Sequence, residues 1–349
     1  MAALLLLNIG GFRSTLNQVI GNYRTPTVYN NTNFPQNYTT VSTTSTSTTS
    51  TINYSQQYLD NYMLGLINQD RNKYGLSNVT LSLEPSAQQH SQSMLQYGYF
   101  SHWDIFGMKP YMRYTLLGGT QGVSENVAYN QSTEKSCIGQ SCTVSGALNI
   151  TEALKAMEYS MMYNDLACCN NGHRDNILDP HHNQVSIGIA YNGSTVYLTQ
   201  DFVDNYINWT SGTPTFQNSR IYLKGTMLYG MNITQVEIGY EPTVSTMTIG
   251  QLDNTSHYGY PDTVAGVVSN SRYYYPNLTT ITASAYNIAG TTFDIEFGLG
   301  NLTQKYGAGE YTVLLFMQPL AASSSNPFVG ASYTIFINAS GSSYVPFNI

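Results

Sequence analysis

Polar and apolar positions along this chain follow two periods in turn. In "SQQYLDNYMLGLINQDRNKYGL", residues 55–76, the apolar Tyr58, Leu59, Tyr62, Met63, Leu66 and Ile67 recur at three and four. That spacing predicts a helix closed by Gly75. A second helix is expected from about Glu84 to Gly98, with Pro85 in its first turn and Ala87, His90, Met94 and Leu95 on one face. A third starts at Pro110, and a fourth runs from about Ala147 to Tyr163. The period then shortens to two. "VSIGIAYNGSTVYLTQDFV" reads as a hairpin, strands 185–191 and 195–203 joined by Asn192-Gly193. Helices followed by a small antiparallel sheet predict an α+β domain of about 150 residues.

After Tyr206 the helical signals stop. Strand-like runs such as "RIYLKGTMLY", "TQVEIGYE", "TTFDIEFGL" and "EYTVLLFM" continue to the end, separated by turns such as "NIAGT". They predict an all-β module, most simply a sandwich. Ahead of both domains, residues 39–51 are almost pure Ser and Thr and cannot pack a core. The start, "MAALLLLNIGGF", is apolar but too short to span a bilayer. It reads as the tail of a signal peptide or membrane anchor, with a short buried helix as the alternative. The expected organisation is a leader at 1–20, a linker or stalk at 21–54, the α+β domain at 55–207 and the β-domain at 208–349.

Composition adds a location. Only 9% of the 349 residues are charged, while 13% are aromatic and 30 are tyrosine. Disorder is excluded, because disordered chains are rich in charge and poor in aromatics. The net charge of −7 supplies no phosphate-binding footprint, so nucleic acid is not an expected partner. The surface must draw its polarity from Asn, Ser, Thr, Gln and tyrosine hydroxyls. Glycosylation fits: sequons stand at Asn30, Asn37, Asn53, Asn78, Asn130, Asn149, Asn192, Asn208, Asn232, Asn254, Asn277, Asn301 and Asn338, about twice the chance number. An acidic environment fits too, since protonated carboxylates leave excess Lys and Arg to repel one another. Both readings place the protein outside the cytoplasm, extracellular or at the cell surface.

Four cysteines, Cys137, Cys142, Cys168 and Cys169, agree with an oxidising compartment and allow three pairings. Two bridges tying the 137–142 loop to the 168–169 loop are expected, because a vicinal bridge carries strain. A metal cluster with the neighbouring His173 is the alternative.

Three phrases hold polar side chains without an evident packing role: "YFSH" ending at His102, "SENVAY" with Glu125, and "NNGHRDNILDP" with His173. Two histidines and a carboxylate suit a divalent ion such as zinc, or proton transfer, although spacing alone makes no motif. Structural histidines are the plainer reading. His90 reads as a packed helix residue, His181 and His182 as solvent-facing, and His257 as isolated in a loop.

Taken in order, "A..HS..M....YFSH", "ENVAY", "GHRDNIL", "VSIGIAY" and "QDF" resemble the CAP superfamily, the cysteine-rich secretory, antigen 5 and pathogenesis-related proteins, and most of all its prokaryotic branch. The resemblance covers roughly residues 55–205. It implies an α-β-α sandwich, secretion, and a cleft where two histidines and two acidic residues converge. His102, Glu125 and His173 match three of those positions, while the fourth falls on Ser160, with Met157 at the family's Trp. Glu158 lies two residues off that position, on another face of its helix.

The incomplete tetrad and the lack of an activated nucleophile argue against catalysis. Ser101 directly precedes His102, a poor arrangement for a Ser–His pair. The expected function is a surface-tethered binding or adhesion protein whose partner is a cell-surface protein, a glycan or a lipid. A zinc-dependent hydrolase is one alternative. A subunit of a surface layer or filament, self-assembling through its C-terminal strands, is the other. Zinc held by His102 and His173 is expected to leave below about pH 6.5, as the imidazoles protonate.

Overall fold

The computed structural model describes residues 54–346 apart from 134, 139–140, 145–146, 256, 270–271 and 322–325. The leader at 1–20, the Ser/Thr tract and the sequons Asn30, Asn37 and Asn53 lie outside the described residues. The remaining ten sequon asparagines are all exposed or half-buried.

Helix α1 (Gln56–Lys73) buries Leu59, Met63, Ile67 and Arg71, one residue per turn along a single stripe, and Ser55 caps it by accepting the Tyr58 amide. After β1 (Thr80–Leu81), α2 (Ser86–Tyr97) stops where Gly98 turns left-handed at φ 68°. Next come α3 (Pro110–Leu116) and β2 (Gly122–Gln131). The ladder of β3 (Lys135–Ile138) and β4 (Ser141–Val144) follows, and then α4 (Ile150–Tyr163), capped by Asn149. Two short helices, α5 (Leu166–Cys169) and α6 (Gly172–Ile177), lead into β5 (Gln184–Tyr191) and β6 (Thr195–Asp204).

The first sheet runs β1-β5-β6-β2, which leaves β2 at an edge. Val185, Ile187 and Ile189 of β5 pack with Leu59, Met63 and Ile67 of α1 and Leu154, Met157 and Met161 of α4. Alternation turns Gly188 to the opposite face, against α2. A Cβ there would sit 2.0 Å from the Ala87 carbonyl oxygen, so only glycine permits this helix to lie on this strand. Helices on both faces make an α-β-α sandwich.

The second domain holds β7 (Ile207–Trp209), β8 (Thr215–Gln217), β9 (Arg220–Met227), β10 (Met231–Glu241) and a single-turn helix α7 (Ile249–Leu252). It continues with β11 (Thr263–Val268), β12 (Thr279–Thr282), β13 (Ala285–Ala289) and β14 (Thr292–Gly298). Helix α8 (Gly300–Tyr306), β15 (Gly309–Pro319) and β16 (Phe328–Ile337) complete it. One sheet runs β12-β11-β10-β15-β16 and the other β13-β14-β9-β7. Leu223, Ile295 and Phe297 of the second meet Val236, Ile238, Val313 and Leu315 of the first in a common core, so the module is a sandwich. Helices α7 and α8 depart from the purely strand-like reading. Each is too short to show a periodic stripe.

Nothing in the sequence marks the contact between the two domains, yet it is apolar. Phe336 of β16 joins Met108, Tyr111, Met112, Val123 and Val203 in one cluster. Leu252 of α7 joins Met94, Tyr99, Val127 and Tyr197 in another. At Gly122 a Cβ would sit 2.0 Å from the Val329 carbonyl oxygen, so the two sheets approach closely there.

Candidate functional site

His102 follows α2 and Glu125 lies on β2. The two meet because Arg113, on α3, is buried between their segments. Its Nη1 donates to the carbonyls of His102 at 2.8 Å and Met108 at 2.9 Å, and its Nη2 donates to Glu125 Oε2. His102 Nδ1 is 2.9 Å from Glu125 Oε1, whose side chain is wholly buried.

Glu125 has a second carboxyl beside it. Strand register pairs Glu125 of β2 with Asp201 of β6. Burial lifts Asp201 to about 8, with the Glu125 charge next in effect. Burial also raises Glu125, and Arg113 opposes the rise. Asp201 Oδ1 is buried and meets no N–H or O–H donor among the described residues. Glu125 is raised to about 7, so the two neighbouring carboxyls titrate as a coupled pair that holds its protons tightly. In the tautomer with Nδ1–H donated to Glu125, Nε2 of the His102 ring keeps its lone pair. Burial, then His173 and Arg113, push His102 down to about 3, so the imidazole stays neutral well into acid.

His173 stands in α6 and has its own carboxylate, Asp165, at the end of the α4–α5 connection. Asp165 Oδ1 lies 2.7 Å from His173 Nδ1, and Oδ2 accepts the His173 amide at 2.9 Å and the Arg174 amide at 3.2 Å. The ring centroids of His102 and His173 are 6.4 Å apart with planes 29° from parallel. Each ring has Nδ1 on a buried carboxylate, and among the described residues neither Nε2 has a hydrogen-bond partner.

Asn126, next to Glu125, fixes this spacing. Its Nδ2 donates to the His173 carbonyl at 3.0 Å, and its Oδ1 accepts from Asn176 Nδ2 at 2.9 Å. Gln200 links Asn126 to Glu158 at distances of 3.2 and 2.7 Å. Glu158 is therefore a buried support behind the site, and burial raises it to about 8. Ser160 is half-buried on α4 and makes no side-chain hydrogen bond to either histidine among the described residues. The carboxylate beside His173 is Asp165, five residues on. Asp165, Arg113 and Asn126 escaped the sequence reading, because each lies in a loop, helix or strand where its type is unremarkable.

The cysteines pair otherwise than expected. Cys168 and Cys169 form a disulfide with each other, their Cα atoms 3.8 Å apart. Cys137 and Cys142 stand opposite one another in the β3–β4 ladder. The Cys168–Cys169 bridge is local, so it closes no long loop. This replaces the proposed bridges between the 137–142 and 168–169 loops.

The β-domain reaches the cleft. Tyr258 packs its ring on His102 at 4.8 Å, and its hydroxyl accepts the Glu125 amide. Tyr260 takes the Val123 amide at 3.1 Å and donates to the Val123 carbonyl at 3.2 Å. Two tyrosine hydroxyls thus occupy the open edge of β2. His257 is not isolated: its carbonyl accepts from Trp103 Nε1 at 3.2 Å.

Of the other histidines, His90 is buried with Nε2 2.8 Å from the Ser101 carbonyl, as a packed helix residue should be. His182 is not solvent-facing. It is 4% exposed, with Nδ1 2.8 Å from Asp204 and its ring stacked on Phe202. Arg71 draws that turn inward by donating to the carbonyls of Ile177, Asp179 and His182. His181 is half-buried and stacks on Phe328 of the β-domain.

Residues 64–202 match the model of the CAP family, described as the cysteine-rich secretory protein family. This chain carries a CAP domain, followed by a β-sandwich. Among solved structures it is similar to an extracellular protein containing an SCP domain from Bacillus anthracis str. Ames, at 19% identity and TM-score 0.30. That likeness covers 44% of this chain and 45% of the other, so the match spans less than half the length of that relative. An outer surface protein from Borrelia burgdorferi is similar at 12% identity and TM-score 0.30, over 44% of this chain and 97% of that one. The CAP domain of enterococcal PrgA is similar at 14% identity and TM-score 0.28, over 45% and 64%. No curated protein matches. Among the described residues no helix is long and apolar enough to cross a membrane.

Proposed function

We propose that this chain is an extracellular binding protein whose CAP cleft holds a divalent metal, zinc first, through His102 and His173. One observation carries the reading: two adjacent imidazoles each present Nδ1 to a buried carboxylate and keep Nε2 for a ligand. Carboxylate–imidazole pairs of this kind orient and strengthen metal-ligating histidines. When bound, zinc would supply a Lewis-acidic centre with positions open to an oxygen or nitrogen ligand of a partner.

Adhesion is favoured over hydrolysis because, among the described residues, the side chains beside the two imidazoles are already engaged and leave no general base for a zinc-bound water. The Ser101 hydroxyl donates to the Thr255 carbonyl and accepts the Trp103 amide, so it is spent on structure. Asp165 and Glu125 are both occupied in holding imidazoles. The sequons and the charge-poor composition support an exported, surface-held protein whose partner is a cell-surface protein, a glycan or a lipid. The test pairs zinc titration with an ester and peptide hydrolysis screen of the zinc-loaded protein. Zinc binding without turnover is expected. Turnover lost in His102→Ala would replace adhesion by hydrolysis.

A further inference from the structure

The Cys168–Cys169 bond closes a second group of donors, which shares His173 with the paired imidazoles. One oxygen of Asp165, both Sγ atoms and one nitrogen of His173 all lie within 4.8 Å of one another, with Asp165 buried and the other three half-buried. Asp165 holds the group together: its Oδ1 is 2.7 Å from His173 Nδ1 and 3.6 Å from Cys168 Sγ. We propose that reduction of the Cys168–Cys169 disulfide opens a four-donor zinc site formed by Cys168, Cys169, Asp165 and His173.

The donor set suits zinc, which takes thiolate, imidazole and carboxylate ligands in closed tetrahedral sites. In such a site neighbouring ligand atoms stand roughly 3.3–3.8 Å apart, so the bonded sulfurs and the 2.7 Å Asp165–His173 pair would have to separate while the widest pairs, at up to 4.8 Å, close in. Two thiolates and one carboxylate exceed the dication's charge by one, and neutral imidazole adds none. The disulfide is what keeps the site shut, because its sulfurs are bonded to each other and carry no thiolate charge.

Opening needs a two-electron reductant, such as a thiol. Two electrons and two protons pass from two low-molecular-weight thiols, or from one dithiol, to the Cys168–Cys169 bond. The reductant leaves as its own disulfide, and the protein holds two thiols. Zinc then replaces one proton on each thiol, and both protons go to solvent. The site stands whether or not His102 and His173 together hold a metal. Because His173 belongs to both donor sets, filling this one withdraws it from His102.

The experiment uses the full chain with cadmium as the probe. Cadmium is a zinc surrogate whose thiolate complexes absorb in the ultraviolet. In oxidised protein no thiolate-to-cadmium band should appear. After reduction with a phosphine, the band should grow on titration, and cadmium should slow alkylation of Cys168 and Cys169 many-fold by peptide mapping. Mapping separates these from Cys137 and Cys142. His102→Ala should leave this protection intact while it abolishes zinc binding in the oxidised cleft, so the two readings fail separately. Asp165→Asn should weaken the protection.

Equal alkylation of Cys168 and Cys169 with and without cadmium would overturn the proposal. So would protection confined to Cys137 and Cys142, or loss of the fold on reduction by circular dichroism.

Discussion

The ring of Tyr258, from the β-domain, lies on the imidazole of His102, from the CAP domain, with centroids 4.8 Å apart. The sandwich is therefore a wall of the cleft as well as a neighbour of it. Removing that wall should leave His102 more accessible, at the cost of the hydroxyl that accepts the Glu125 amide. Tyr258→Ala is expected to raise the rate of diethyl pyrocarbonate modification at His102 several-fold, read by peptide mapping. An unchanged rate would mean that Tyr258 does not limit access.

Arg113 is the buried cation on which the cleft depends, since it contacts the His102 segment and Glu125 together. Arg113→Met strands a buried carboxylate and should cost about 3–5 kcal/mol in denaturant unfolding. Arg113→Lys should recover little, because one ammonium cannot reproduce the guanidinium fork. A loss below about 1 kcal/mol for Arg113→Met would place the carboxylate's compensation elsewhere.

Acid should stabilise this protein. Glu158 and Asp201 are each raised to about 8, and Glu84 to about 7, with burial the largest cause in all three. A carboxyl raised on folding binds its proton more tightly in the native state. Its contribution is full below the unfolded value near 4 and is lost as pH rises toward 7–8. His102, lowered to about 3, and His90, also lowered, oppose this below about pH 6.5. Asp179, lowered to about 2, opposes it in strong acid, so the more numerous raised carboxyls set the sign. The melting temperature should fall from pH 5 to pH 8, and Glu158→Gln should flatten the slope. A melting temperature that rises over that interval would show these carboxyls ionised in the fold.

The two domains should resist proteolysis together. Phe336 and Leu252 each enter a cluster built mainly from the CAP domain, and Thr334 and Ser332 bond to Thr115 and Gln121. Limited digestion is expected to leave one fragment that spans both domains. Early cleavage at 207–215 into two stable pieces would contradict a shared interface.

Much of the CAP domain was legible because its periods are long and its motifs local. The stripe from Leu59 to Ile67 and the Asn192-Gly193 hairpin each declare themselves within one element. The site was legible only in part. His102, Glu125 and His173 stand in recognisable phrases, whereas Asp165 gains its role from lying across from the first turn of α6. The contact of Tyr258 with His102 spans 156 positions of chain, and no local pattern encodes it. The vicinal disulfide was missed for a related reason: strain argued against it, while strand register had already given Cys137 and Cys142 to each other's positions.

The central claim is that carboxylate-held His102 and His173 form a metal site. Calorimetric titration of the oxidised, full-length protein with zinc at neutral pH tests it most directly. One zinc per chain should bind, with no measurable binding in His102→Ala or His173→Ala and about 10–100-fold weaker binding in Asp165→Asn. Zinc binding that survives unchanged in both histidine variants, or its absence from the wild-type protein, would contradict the account.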